Sequence, residues 1–146
     1  MGETVNPRLA REALRSVEVY NPSTNQWAWR APIPLGVAGA GAALGAEGRI
    51  YVVGRTISYS RQVARREVQI YDPATDRWSE GPALNEARQG HMVVATKDGR
   101  VYAIGGTNQH SVFYPWLTPW MIVRGEVAQE GSPLASVEVL ETMPSP

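Results

Sequence analysis

Chemistry in this 146-residue chain has to come from a short inventory. The two histidines, His91 and His110, stand at no His/Glu/Asp spacing that builds a metal site. Cysteine is absent, which removes thiolate catalysis, disulfide staples and cysteine metal ligands together. Ser58, Ser60 and Ser111 have no nucleophile-elbow motif around them, so no nucleophile is paired with a base. Gly36 to Gly48 is rich in glycine and alanine but lacks the Gly-Lys-Ser/Thr ending of a phosphate loop, and a thin central strand accounts for it. His91 opens a short apolar run, where a structural hydrogen bond is its expected use. The expectation is no catalytic residue, no metal and no cofactor.

Recognition chemistry is better represented. The stretch 107–135 breaks the pattern of the rest of the chain and holds Phe113-Tyr114-Pro115-Trp116-Leu117-Thr118-Pro119-Trp120-Met121-Ile122-Val123-Arg124. Aromatics with an arginine are the residue types of binding hot spots, and long loops on a rigid scaffold are where recognition is placed. The competing use of this stretch is to cover an apolar face. Arg61, Arg65 and Arg66 form a basic cluster in a loop between two strands, and Arg8, Arg11 and Arg15 occupy the equivalent loop earlier. Such clusters hold phosphate or carboxylate groups, or they form a solvated edge, here with Glu12 and Glu67 as partners. Tyr114, Trp116, Trp120, Arg124 and Arg61 are the candidate binding residues.

Composition bounds the partners. At 43% hydrophobic and 19% charged the chain is of the folded globular kind, and 14 Lys plus Arg cancel 14 Asp plus Glu. No global field draws it to nucleic acid or to an anionic membrane. Met1 to Asn6 has no apolar signal region, and no run approaches the ~18 apolar residues of a membrane helix. A soluble protein is expected, with no nucleic-acid or membrane partner.

The elements that position these residues come from an internal repeat. Val17-Glu18-Val19-Tyr20-Asn21-Pro22-Ser23-Thr24-Asn25-Gln26-Trp27 returns without a gap, 51 residues later, as Val68-Gln69-Ile70-Tyr71-Asp72-Pro73-Ala74-Thr75-Asp76-Arg77-Trp78. Gly48-Arg49-Ile50-Tyr51-Val52-Val53-Gly54 returns at the same offset as Gly99-Arg100-Val101-Tyr102-Ala103-Ile104-Gly105. A third copy of the first block, Ser136-Val137-Glu138-Val139-Leu140-Glu141, comes 69 residues after the second, which places an insertion of 18 residues within 107–135. Gly90 to Thr96 and Val101 to Ile104 flank the Asp98-Gly99 signal of a tight hairpin. Val68 to Tyr71 supplies a third strand, Asp72-Pro73 a turn, and Arg77-Trp78-Ser79 the start of a fourth.

Four antiparallel strands in about 50 residues are the blade of a β-propeller. Through Gly105-Gly106 after the second strand, Tyr71 and Trp78 on the third and fourth, and Asp72-Pro73 between them, the chain resembles the kelch-repeat family. The earlier unit departs from that pattern with Gly54-Arg55 in place of a glycine pair. The resemblance implies an all-β, partial kelch-type propeller. It implies structural roles for Tyr20, Trp27, Tyr71 and Trp78, which would fill the space between blades, and for Gly54, Gly105 and Gly106, where backbones would approach closely.

On this register residues 1–35 make a half blade, 36–86 a complete blade, and 87–146 a blade lacking its last strand and carrying the insertion 107–135. Propellers use about 4–8 blades, at least roughly 200 residues at this repeat length, so the expectation is a fragment, a truncated frame or a protomer completed by other chains. Family resemblance implies a non-catalytic protein-interaction module, with a protein partner or self-association through the incomplete edges. The alternative is a piece of a kelch-propeller enzyme acting on carbohydrate-type substrates. Its copper-oxidase version needs a tyrosine cross-linked to cysteine, which this chain lacks. Any other version would use blades outside this chain, or His91, Arg61, Arg124 and Glu126 across subunits. A third expectation is a remnant of a longer gene.

Overall fold

The structure is a computed structural model that describes residues 13–56, 61–108, 110–112 and 134–141. Among these residues there is no helix, and every strand pairing is antiparallel. Strands β1 (Val17–Asn21) and β2 (Gln26–Arg30) form one hairpin sheet. A second sheet runs in the order β3 (Gly41–Leu44), β4 (Ile50–Thr56), β5 (Arg61–Asp72), β6 (Arg77–Glu80). The third has β7 (Met92–Ala95) and β10 (Val137–Glu141) on either side of β8 (Arg100–Ile104).

The repeat acts locally through its turns. Asn21 Oδ1 accepts from the Ser23 amide at 2.9 Å, and 51 residues on Asp72 Oδ1 accepts from the Ala74 amide at 2.9 Å. Both turns close on a left-handed residue, Asn25 at φ 54° and Asp76 at φ 53°. Asn and Asp tolerate that conformation because their short polar side chains bond locally. Here each accepts from a tyrosine hydroxyl, Tyr20 to Asn25 at 2.9 Å and Tyr71 to Asp76 at 2.7 Å.

Between the second and third sheets lies the core. Val53 and Val68 from one sheet and Val101 and Ala103 from the other have no exposed surface, and Tyr51, Ile70, Leu84 and Leu140 complete the cluster. Each such aliphatic side chain contributes about 1.5–3 kcal/mol by leaving water. The inner strand β3 is thin for a reason of distance: a Cβ built on Gly41 would lie 2.3 Å from Val93 Cγ2 of β7. A larger residue there would push the two sheets apart.

Strand β5 starts seven residues earlier than the apolar alternation of Val68 to Tyr71 suggests. Its first half is polar, so it has no hydrophobic period to betray it. Two pairings hold it: Arg55 and Thr56 of β4 face Arg65 and Ala64, beyond a register shift at Val53/Arg55, and β9 (His110–Val112) pairs Val63 to Arg61. Arg61, Arg65 and Arg66 are therefore strand residues and not part of a loop. The first residues of the 107–135 stretch include β9 and are not all loop either.

A candidate interaction surface

One contact between sheets is the kind that the repeat predicts would recur. Tyr71 and Trp78 pack with ring centroids 5.0 Å apart, tilted by 40°. Trp78 Nε1 donates to the Ala31 carbonyl at 2.8 Å, and the Ala31 amide donates to Asp76 Oδ1 at 3.0 Å. Ala31 follows β2, so the end of the first sheet is fastened to the aromatic pair of the second. The Tyr71 hydroxyl and then the Ala31 amide hold the Asp76 carboxyl below its ordinary pKa, while burial and the same bond push Tyr71 up. A mostly apolar cleft of about 600 Å³ remains between these sheets, lined by Val17, Val19, Ile33, Val52, Tyr71 and Trp78 together with Glu18 and Arg30.

The first sheet carries the same aromatic pair, and none of the described residues is bonded over it as Ala31 is over Trp78. Tyr20 and Trp27 have centroids 5.2 Å apart at 42°, matching the covered pair. Trp27 is 65% exposed, and Trp29, two residues along β2 on the same face, is 69% exposed. Glu18 lies directly across from Trp29, and Tyr20 across from Trp27, so Glu18, Tyr20, Trp27 and Trp29 share one face. The exposed aromatics are contiguous over this one sheet face.

A second feature joins the connector 81–91 to the third sheet. Arg88 is wholly buried, and it donates to the Gly105 carbonyl at 2.8 Å, the Ser136 carbonyl at 3.0 Å and Ser136 Oγ at 2.6 Å. Its charge is met by Glu138 at 3.0 Å and Glu86 at 3.1 Å. Glu138 also accepts from the Asn85 and Glu86 amides. Burial works against its ionisation, but those two amides and Arg88 outweigh it and hold the carboxyl below the ordinary value. Arginine's fixed fork of donors suits such a multiply bonded buried site.

No local motif marks Arg88, Ser136 and Glu138 as partners. The 51-residue register carries the signal: Val37 stands at the position of Arg88, and a charge replacing an apolar residue at a repeat position implies a partner introduced with it.

His91 sits beside this node and is 7% exposed. It fills space left by two glycines, since a Cβ on Gly54 would be 2.8 Å from its Cε1 and one on Gly106 would be 2.8 Å from its Cβ. Among the described residues no partner meets strict hydrogen-bonding geometry at either ring nitrogen, and the Val53 carbonyl supplies a weaker backbone interaction in place of the expected structural hydrogen bond. Burial and then the Arg88 charge depress its pKa, against smaller opposing effects of the Val53 carbonyl and Glu138. Gly54, Gly105 and Gly106 all have positive φ, at 61°, 66° and 85°.

Of the candidate binding residues, Tyr114, Trp116, Trp120 and Arg124 lie outside the described residues. Arg61 is placed through its backbone, paired with Val112. Arg65 and Arg66 are exposed along a cleft of about 250 Å³ with Ala64, Glu67, Ala83 and Ala87. Glu67 pairs with Arg55 at 3.2 Å.

Repeated antiparallel sheets, a Tyr–Trp pair on each of two of them, and glycines with positive φ beside the strand ends define a class of protein, the kelch-type β-propeller. This chain is a relative of the kelch-repeat proteins, and its sheets are part of such a propeller. It is 40% identical over 82 residues to Kelch-like protein 36 of Mus musculus, covering 56% of this chain and 13% of that one. It is 40% identical over 86 residues to Kelch-like protein 31 of Homo sapiens, covering 59% and 13%. With Kelch-like protein 35 of Mus musculus it shares 35% over 129 residues, covering 86% and 21%. The chain thus spans 13% of the length of the first two relatives. No family model matches it.

Proposed function

We propose that the chain is a non-catalytic protein-interaction module of kelch repeats, and that the Tyr20–Trp27–Trp29 face is where a protein partner docks. The observation that supports this reading is the pair of matched aromatic clusters. Tyr71 and Trp78 are covered by the end of the neighbouring sheet, whereas Tyr20 and Trp27, identical in geometry, are left open. Large aromatics become hot spots when a partner removes them from water, because each buries about 150–250 Å² with few rotors to freeze. With no other partner present, a second copy of the chain is the available cover, joined through this face and the unpaired strand edges.

Light scattering on a sizing column tests this. The 16.0 kDa chain is expected to run as an associated species, and Trp27→Glu with Trp29→Glu is expected to return it to the monomer with unchanged far-ultraviolet dichroism. A monodisperse wild-type monomer with freely exchanging Trp27 and Trp29 indoles would overturn the docking role of the face.

A further inference from the structure

The third sheet has an apolar outer face of its own. Met92, Ile104 and Val137 stand on one rung of it, and two residues further along each strand Val94, Tyr102 and Val139 stand on another. Residues two apart on a strand share a face, so these side chains lie together, opposite Val101, Ala103 and Leu140, which pack into the core against the second sheet. Met92 is 65% exposed and Val137 55%, and Val94 and Val139 are nearly half exposed.

The repeat tells what such a face meets. Val137-Glu138-Val139 copies Val17-Glu18-Val19 of the first sheet, and there Val17 and Val19 line one cleft with Tyr71 and Trp78 of the second. A valine pair at this position thus opposes a Tyr–Trp pair on the adjoining sheet. Among the described residues the open Tyr–Trp pair is Tyr20 and Trp27, on the first sheet of the same chain. Each copy therefore carries both halves of one contact, on the two outermost faces of its stack of sheets.

The inner strands decide which kind of sheet fits. Met92 and Val94 stand where the second sheet has Gly41 and Ala43. Between the second and third sheets the approach is so close that a Cβ built on Gly41 would lie 2.3 Å from Val93 Cγ2. A methionine at this position has no room beside a sheet that brings an inner strand equally near. Among the described residues the first sheet consists of β1 and β2 alone, with no inner strand. It leaves open the space that Met92 and Val94 would fill, where a further four-stranded blade at the in-chain spacing would not.

Resting on the docking reading above, we propose that the occupant of the Tyr20–Trp27–Trp29 face is the third sheet of a second copy of this chain, docked through Met92, Val94, Val137 and Val139. The contact is heterologous, because each copy uses two different faces, so copies add head to tail.

Two blocked variants test this by light scattering. Trp27→Glu with Trp29→Glu closes the first-sheet face, and Val94→Glu with Val139→Glu closes the third-sheet face. Each alone is expected to run as a 16.0 kDa monomer with wild-type far-ultraviolet dichroism. Mixed in equal amounts they are expected to form a discrete pair of twice that mass, since one intact contact remains between them and neither free end can extend it. Association of the third-sheet variant on its own, or a mixture that stays monomeric, would overturn the proposal while leaving the first-sheet docking face standing. Association of the first-sheet variant on its own would remove that docking face and the proposal with it. Met92→Ala gives a measurement without introduced charge, at a side chain already 65% exposed. It is expected to raise the dissociation constant of the otherwise wild-type chain about tenfold, the scale for burying one large apolar side chain, and unchanged association would contradict the role of the third-sheet face.

Discussion

Replacing Arg88 by methionine is expected to cost about 3–5 kcal/mol of unfolding free energy, the range for removing one partner of a buried ion pair. Methionine fills much of the volume, so the loss is electrostatic. Glu138, with only 9% of its side chain exposed, is left without its cation, the Gly105 carbonyl loses the Arg88 donor, and the Ser136 carbonyl keeps only the Gly105 amide. Urea unfolding at pH 7 measures the loss. Arg88→Lys is expected to recover little of it, because one ammonium with three donors cannot meet five acceptor atoms around a planar fork.

The same node makes the fold acid-sensitive. The Glu138 carboxyl is held below its ordinary value in the fold, so its contribution is complete above the unfolded value of about 4.3 and is lost as the pH falls through the folded one. His91 adds to this from higher pH. Its depressed pKa means that the unfolded chain takes up the proton first, so stability declines as the pH drops below about 6.5. Wild-type stability is therefore expected to fall in two stages, one below about pH 6.5 and one below about pH 4.3, and His91→Leu is expected to remove the upper stage. A flat profile between about pH 7 and 5 would contradict the His91 assignment, and one that stays flat below about pH 4.3 would contradict that of Glu138.

Gly54→Val is the second large effect expected. An L-residue at φ 61° costs about 1–2 kcal/mol from backbone strain alone. The new Cβ would also stand 2.7 Å from the Arg88 carbonyl oxygen and 2.8 Å from His91 Cε1, and overpacking adds about 1–3 kcal/mol. A total near 3 kcal/mol corresponds to a fall of roughly 10 °C in Tm for a chain of this size. Gly48→Ala separates the two causes. Gly48 has φ 82° with nothing within 4 Å of a built Cβ, so it is expected to show the backbone cost only. Equal losses at the two positions would mean that contact with His91 and Arg88 contributes nothing.

What the sequence discloses follows from how local each determinant is. The turns at Asn21–Asn25 and Asp72–Asp76 are written in contiguous residues, and the second-sheet hairpin closes where the Asp72-Pro73 signal puts it. The apolar runs ending at Ala95 and beginning at Val101 become β7 and β8 because alternation and the Asp98-Gly99 turn lie within a dozen residues. The first half of β5 stays hidden because its pairing partner, β9, is about 50 residues away and neither segment has an apolar period. Arg88 was hidden differently: its partners Glu138 and Ser136 fall beyond the insertion that breaks the 51-residue register. The open aromatic face was half legible, since the Tyr–Trp repeat is plain but its uneven covering is a property of the packed sheets.

The pairing of β9 with β5 also bears on how the chain is made. Arg61 to Val63 leave the ribosome long before their partners His110 to Val112 exist. At a synthesis rate of about 5–20 residues per second, that interval lasts roughly 2–10 s. Throughout it the backbone groups that β9 will pair are left to water, on an edge open to other strands. The two arginines in tandem, Arg65 and Arg66, exposed in the finished fold, sit where like charge on neighbouring nascent chains discourages them from pairing there first.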